Sequence, residues 1–195
     1  MTFDTSREQQ TQLFSELAKL GKKGELGEAL AGYVGGISIY DMAMLCASLG
    51  QENDLLPGPY GKKLRLHMLE KIYGGYDRML SLKSAGTFRK MTDDIRDREA
   101  LKNFCEMMIS AGNELPDPAR EYGYHEKIGA ILYSLTSCFS IFVMEEPGHP
   151  VGMPFPGGFT LQVRDGVYYC PVRDKEKDVK YAFCRFCPSL QADLS

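Results

Sequence analysis

The chain has 195 residues, 44% hydrophobic and 25% charged, an ordinary globular make-up and long enough to bury a core without staples. Its formal net charge of −3 argues against a dedicated nucleic-acid binder, which needs a dense basic face. The opening MTFDTSREQQ has neither the basic start nor the apolar run of an export signal, so a cytoplasmic setting and six reduced cysteines are expected.

The first three quarters repeat with helical period. Leu13, Phe14, Leu17 and Leu20 form one face of a first helix, with Thr5 or Ser6 as its cap. Leu26, Leu30, Tyr33 and Val34 mark a second, ending at Gly35-Gly36. A third starts after Ser38, buries Met42, Leu45, Cys46 and Leu49, and is expected to stop at Gly50. Pro57-Gly58-Pro59 reads as a turn. Leu66, Leu69, Tyr73, Tyr76 and Leu80 then form an apolar stripe. Gly74-Gly75 within it would kink the helix or admit a close neighbour.

A fifth helix carries Leu101, Phe104, Cys105, Met108 and Ile109, and a loop follows from Asn113 to Pro118. The sixth places Ile128, Ile131, Leu132, Leu135, Phe139 and Phe142 on its stripe, with Ala130, Ser134, Thr136, Ser137 and Ser140 on the other faces. A helix without a charged face is surrounded by others. The uncharged run Ile128–Met144 is short and serine-bearing for a bilayer span, so a buried core helix and no membrane contact are expected.

At Pro147 the composition changes to alternating Pro and Gly through Gly158, which excludes helix. Phe159, Leu161 and Val163 then alternate with polar residues up to Asp165-Gly166, a two-residue hairpin turn. In that register Val163 faces Tyr168, and Leu161 faces Cys170 on an apolar side shared with Phe159. The expected architecture is mainly α: a bundle of about six helices over residues 1–146, then a Pro/Gly loop, β-hairpin and Cys-rich metal-binding appendage over 147–195.

Cys184 and Cys187 form a C-x2-C pair, and Cys170 lies fourteen positions before it. Thiolates at this spacing converge on a metal ion because the C-x2-C turn points both sulfurs the same way. A closed tetrahedral zinc site needs a fourth ligand, and His149 opens the same appendage on an extended backbone set by Pro150. Cys105 and Cys138 fall on apolar helix stripes and read as small core residues. His67 and His125 read as partly exposed or satisfied side chains. An iron–sulfur cluster on the same cysteines is the enzymatic alternative, and free thiols or a Cys184–Cys187 bond are the metal-free ones. Arg173 and Arg185 are candidates to balance the site's negative charge.

Asp93, Asp94 and Asp97 spell D-D-x-x-D. On a helix the outer two share a face, as in the magnesium–diphosphate sites of isoprenoid synthases, so a magnesium-dependent diphosphate enzyme is a further alternative. The plainer reading is a helix start capped by Thr92, with Asp94 paired to Arg98.

The runs Pro154-Phe155-Pro156-Gly157-Gly158, Val167-Tyr168-Tyr169-Cys170-Pro171-Val172 and Cys184-Arg185-Phe186-Cys187-Pro188 resemble a family of methanogen-archaeal proteins grouped as a domain of unknown function. The length and helical first part are similar too. The resemblance implies an anaerobic cytoplasm and marks His149, Cys170, Cys184 and Cys187 as motif residues. It implies no particular reaction. The expected function is therefore a non-catalytic metal-binding protein, zinc first, whose appendage supports a surface for a protein or small-molecule partner.

Overall fold

The structure is a computed structural model and describes residues 3–53, 58–116 and 124–193. Helix α1 (Arg7–Leu17) is capped by Ser6, whose hydroxyl accepts from the Gln9 backbone N–H at 3.2 Å. It lays Leu13, Phe14 and Leu17 against α7 (Arg98–Glu114), which turns Leu101, Phe104 and Cys105 inward. Helix α2 (Lys23–Val34) packs on α5 (Gly75–Ser84) and the short α6 (Thr87–Lys90). Gly24 is what lets α2 and α6 meet, because a Cβ there would stand 2.2 Å from the Phe88 carbonyl oxygen.

Helix α3 (Ile39–Asn53) is capped by Ser38, buries Met42 and Leu45, and packs on α4 (Gly58–Leu69) and α8 (Tyr124–Cys138). It continues through Gly50 instead of stopping there; a single glycine weakens a helix by only about 1 kcal/mol. The side chain of Leu49, as well as Pro57 and Pro118, lies outside the described residues. Gly58 and Pro59 open α4, where proline's missing N–H costs nothing. Helix α7 runs on through Asn113 to Glu114 before the loop begins.

Helix α8 is the central element. Ile128, Leu132 and Leu135 are fully buried, and its polar face is satisfied from within. Thr136 Oγ1 donates to the Leu132 carbonyl at 2.8 Å and Ser137 Oγ to the Tyr133 carbonyl at 2.7 Å. With the π turn that extends it (Phe139–Val143), this helix is long and apolar enough to cross a bilayer, and 67% of that window is buried inside the protein.

The stripe expected on α4 and α5 is displaced. Leu66 is 67% exposed and Tyr73 52% exposed, whereas Lys71, Ile72 and Met79 are buried. A second π turn, Glu70–Gly74, joins α4 to α5. The most buried face runs through Ile72 and Met79, with Met68 and the expected Leu69, Tyr76 and Leu80 partly buried against the core. Gly75 follows immediately and touches α8: a Cβ there would lie 2.7 Å from Thr136 Cγ2. The glycine pair thus marks both a distortion and a close approach.

The loop from Pro147 leads to strands β1 (Gln162–Arg164) and β2 (Val167–Cys170), paired antiparallel with Val163 opposite Tyr168. Asp165 (φ 50°) and Gly166 (φ 77°) both take positive φ, as a type I′ turn requires. Leu161 and Cys170 are buried with Met153, as one apolar side demands. Val163, near the hairpin's tip, is exposed, as is Phe159, which lies beside the separate bridge of Pro154 to Thr160. A short strand β3 (Leu190–Gln191) pairs parallel with β2, completing a three-stranded sheet. The protein is mainly helical with a small sheet near the C-terminus.

Candidate functional site

The C-x2-C segment is a 3-10 turn, Phe183–Phe186, with the Cys187 N–H donating to the Cys184 carbonyl at 3.2 Å. At three residues per turn, positions three apart eclipse. Phe183 and Phe186 therefore share a face, and Cys184 and Cys187 share the next one. The two phenyl rings pack on Phe104 of α7 at centroid distances of 5.2 and 5.5 Å, and Phe183 stacks on Tyr133 of α8 at 5.5 Å. Anchoring the aromatic face to the helical body turns the sulfur face toward the Pro/Gly loop and the hairpin.

There it meets the other two expected residues. Cys170 ends β2, and His149 stands on the loop that leaves the α8 π turn. All four line one cavity of about 410 Å³, whose wall also includes Tyr133, Phe155 and Arg173. Among the described residues, no three His, Cys, Asp or Glu side chains stand at the spacing that holds one metal ion. The four thus surround a space instead of meeting at a point. All six cysteines are free thiols.

Burial pushes the Cys184 thiol up to about 11, with the neighbouring Cys170 and Cys187 adding to the shift. Burial also raises Cys170, partly offset by the backbone N–H groups of Val172 and Arg173. Cys187 donates to Ser189 Oγ at 3.4 Å. Without a cation, Cys170 and Cys184 are kept protonated.

His149 is half-buried. Its Nε2 lies 2.8 Å from the Tyr133 hydroxyl and its ring meets Phe155 edge-on at 5.9 Å. Burial, and next the charge of Lys71, lower its pKa to about 4, so the imidazole is neutral at physiological pH. Metal binding through Nδ1 requires the tautomer in which Nε2–H donates to the Tyr133 oxygen, an arrangement typical of ligating histidines. Burial pushes the Tyr133 phenol to about 12, so it stays neutral.

The charge balance differs from expectation at Arg185. Arg185 donates to the Val179 and Lys180 carbonyls, away from the cavity. Arg173 lines the cavity, with Nη1 on Asp174 at 2.8 Å and Nε without a partner, and its charge partly offsets the effect of burial on Cys170 and Cys184. Sequence reasoning missed Lys71, which the π turn carries inward to 5% exposure. Its Nζ has no hydrogen-bond partner and lies 5.7 Å over the Tyr133 ring. Burial lowers its pKa to about 7, against the opposing charges of Cys187 and then Cys138. The available signal was a lysine beside Ile72, in the alternative stripe that ends at Met79.

The remaining candidates are committed elsewhere. Cys105 and Cys138 are fully buried in helices. His67 Nδ1 lies 3.3 Å from Glu70, and His125 Nε2 3.6 Å from Asp41. Residues 91–97 are not helical, so the D-D-x-x-D acids do not share a helix face. Asp93 offers its carbonyl to the Lys23 N–H, and Asp94 pairs with Lys22 at 2.8 Å. Asp97, not Thr92, caps α7 through the Ala100 N–H at 2.8 Å. Pairing accounts for the Asp94 carboxylate and capping for that of Asp97, and the three acids share no helix face, which corrects the geometry behind the diphosphate-site alternative.

A helical body with a small C-terminal sheet and a thiol-lined cavity is the class these features define. The chain belongs to the family described as an uncharacterized protein conserved in archaea (DUF2115), which matches residues 22–192. A UPF0305 protein of Methanocaldococcus jannaschii is 25% identical over 172 residues, covering 88% of this chain and 98% of the relative. A UPF0305 protein of Methanothermobacter thermautotrophicus is 46% identical over 63 residues, 32% of this chain and 41% of the relative. One from Methanopyrus kandleri is 36% identical over 94 residues, 46% of this chain and 66% of the relative. The chain thus spans about two fifths of the Methanothermobacter relative's length. No solved structure matches it.

Proposed function

We propose that this chain is a metal-binding protein that holds zinc through Cys170, Cys184, Cys187 and His149 in the cytoplasm. The observation supporting this is convergence: residues from a loop, a strand end and a 3-10 turn border a single cavity. Three thiolates and a neutral imidazole match the closed Cys₃His donor set of structural zinc sites. Closing on an ion requires the cysteine turn and the hairpin end to draw in until the sulfurs sit about 2.3 Å from the metal. Bound zinc would tie β2 and the 3-10 turn together, and the surface they build is the surface offered to a protein or small-molecule partner.

The cavity's size favours a second reading. A volume of about 410 Å³ far exceeds one ion, and an iron–sulfur cluster is the larger body that three thiolates accept. Anaerobic purification with metal analysis and a visible spectrum separates the two. A colourless protein with a single zinc per chain supports the first. Iron with broad visible absorption supports the second. Protein that retains neither, even when refolded with each, overturns both.

A further inference from the structure

A lysine amine enclosed by protein without a hydrogen-bond partner is costly, and such a group persists where something else compensates it. Lys71 is in this position. Of the carboxylates that line the adjoining cavity with it, Glu146 is gripped by both Arg78 nitrogens, at 2.6 and 3.0 Å, and Glu70 sits 3.3 Å from His67 Nδ1; neither hydrogen-bonds the lysine. Lys71 and His149 line that cavity together, and His149 in turn lines the thiol cavity. Tyr133 connects them, with the Lys71 nitrogen over its ring and its hydroxyl on His149 Nε2. The lysine lies within the π turn of Glu70–Gly74, where it and Ile72 are the buried residues.

We propose that Lys71 is the charge partner of the sulfur centre, supplying the buried positive charge that a thiolate-rich metal site requires. This rests on the metal reading above. Three thiolates with a divalent ion leave a net charge of −1 in a poorly solvated place, where an isolated charge is strongly disfavoured. Arg185 is bonded to backbone and turned away, while Arg173 borders the thiol cavity from the hairpin side with one nitrogen on Asp174 and its Nε without a partner, so Lys71 supplies the offset from the Tyr133 side. Lys71 is therefore a positioning and charge-balancing residue, not a ligand.

The test is zinc affinity by competition with a chromophoric chelator, on the full chain, for wild type, Lys71→Met and Lys71→Arg. Melting of each metal-free protein serves as the folding control. Loss of the charge should weaken zinc binding by about 10- to 100-fold, the range for residues that support a ligand shell. Arginine, which keeps the charge, should restore most of the affinity. Metal-free Lys71→Met should melt no lower than wild type, because a buried charge has been removed. Equal affinity in wild type and Lys71→Met overturns the proposal while leaving the metal site standing. So does equal loss in Met and Arg variants, which would show packing instead of charge. A wild type that takes up no zinc removes the site itself and this inference with it. If Lys71→Met does not fold, Lys71→Gln supplies the neutral comparison.

Discussion

The helical body and the tail close their interiors with different materials. In the body, Leu17, Leu26, Leu45, Phe104, Leu132 and Phe139 are buried to 1% exposure or less, within one continuous cluster. In the tail, the separate cluster has only three buried members, Met153, Leu161 and Cys170, one of them a thiol. Three side chains cannot offset the ordering of some forty residues, at roughly 1–2 kcal/mol each. The tail is held instead by what it borrows, Phe183 and Phe186 on the body's Phe104, and, on the proposed reading, by a metal between its sulfurs. The difference teaches that the cysteine turn and the hairpin lie where the apolar core is thinnest.

The contrast breaks most completely at a ligand. Cys184→Ser should abolish metal retention through gel filtration while leaving far-ultraviolet helicity unchanged, since the helices do not depend on that sulfur. Retained metal at full stoichiometry would remove Cys184 from the ligand set.

Phe104→Ala tests the borrowed packing. It removes the ring that contacts Phe142, Phe183 and Phe186, and should cost about 3–5 kcal/mol in denaturant unfolding. It should also speed alkylation of Cys184 and Cys187, because the tail loses its anchor. Unchanged thiol reactivity would mean the tail holds itself.

Lys71 sharpens the contrast through pH. Its folded pKa of about 7 lies below its ordinary 10.5, so between those values the unfolded chain binds the extra proton. Stability of the metal-free protein should therefore be lower at pH 7 and rise as pH increases. The gain between pH 7 and 9 is on the order of 2 kcal/mol, before the raised cysteines begin to oppose it. Lys71→Met should flatten that rise in urea titrations at several pH values; an undiminished slope would assign it to another group.

Gly75→Ala has the smallest expected effect. Its methyl would meet Thr136 at 2.7 Å, pushing α5 from α8 at a cost of about 1–3 kcal/mol. A neutral or stabilising outcome in thermal melts would show that the two helices can separate at that point.

Much of this contrast was legible in the sequence. The caps at Ser6 and Ser38, the inward face of α7 and the burial of α8 follow from local spacing and side-chain type. Asp165-Gly166 set the hairpin register because two adjacent positive-φ residues admit few alternatives. The two π turns were not legible. The one after α8 leaves the expected Phe139 and Phe142 inside, whereas around Glu70–Gly74 Tyr73 was expected inside and Lys71 was overlooked. The grouping of His149 with three cysteines could be read from spacing, but the Tyr133 bond to its imidazole depends on where α8 lies. Strand β3 has two residues and no periodicity to read.

The most direct measurement is X-ray absorption at the metal edge of protein purified without oxygen. A first shell of three sulfurs at about 2.3 Å and one nitrogen is the expected result. A shell of oxygen and nitrogen alone, or protein that carries no metal after reconstitution, would contradict a sulfur-bound centre in the tail.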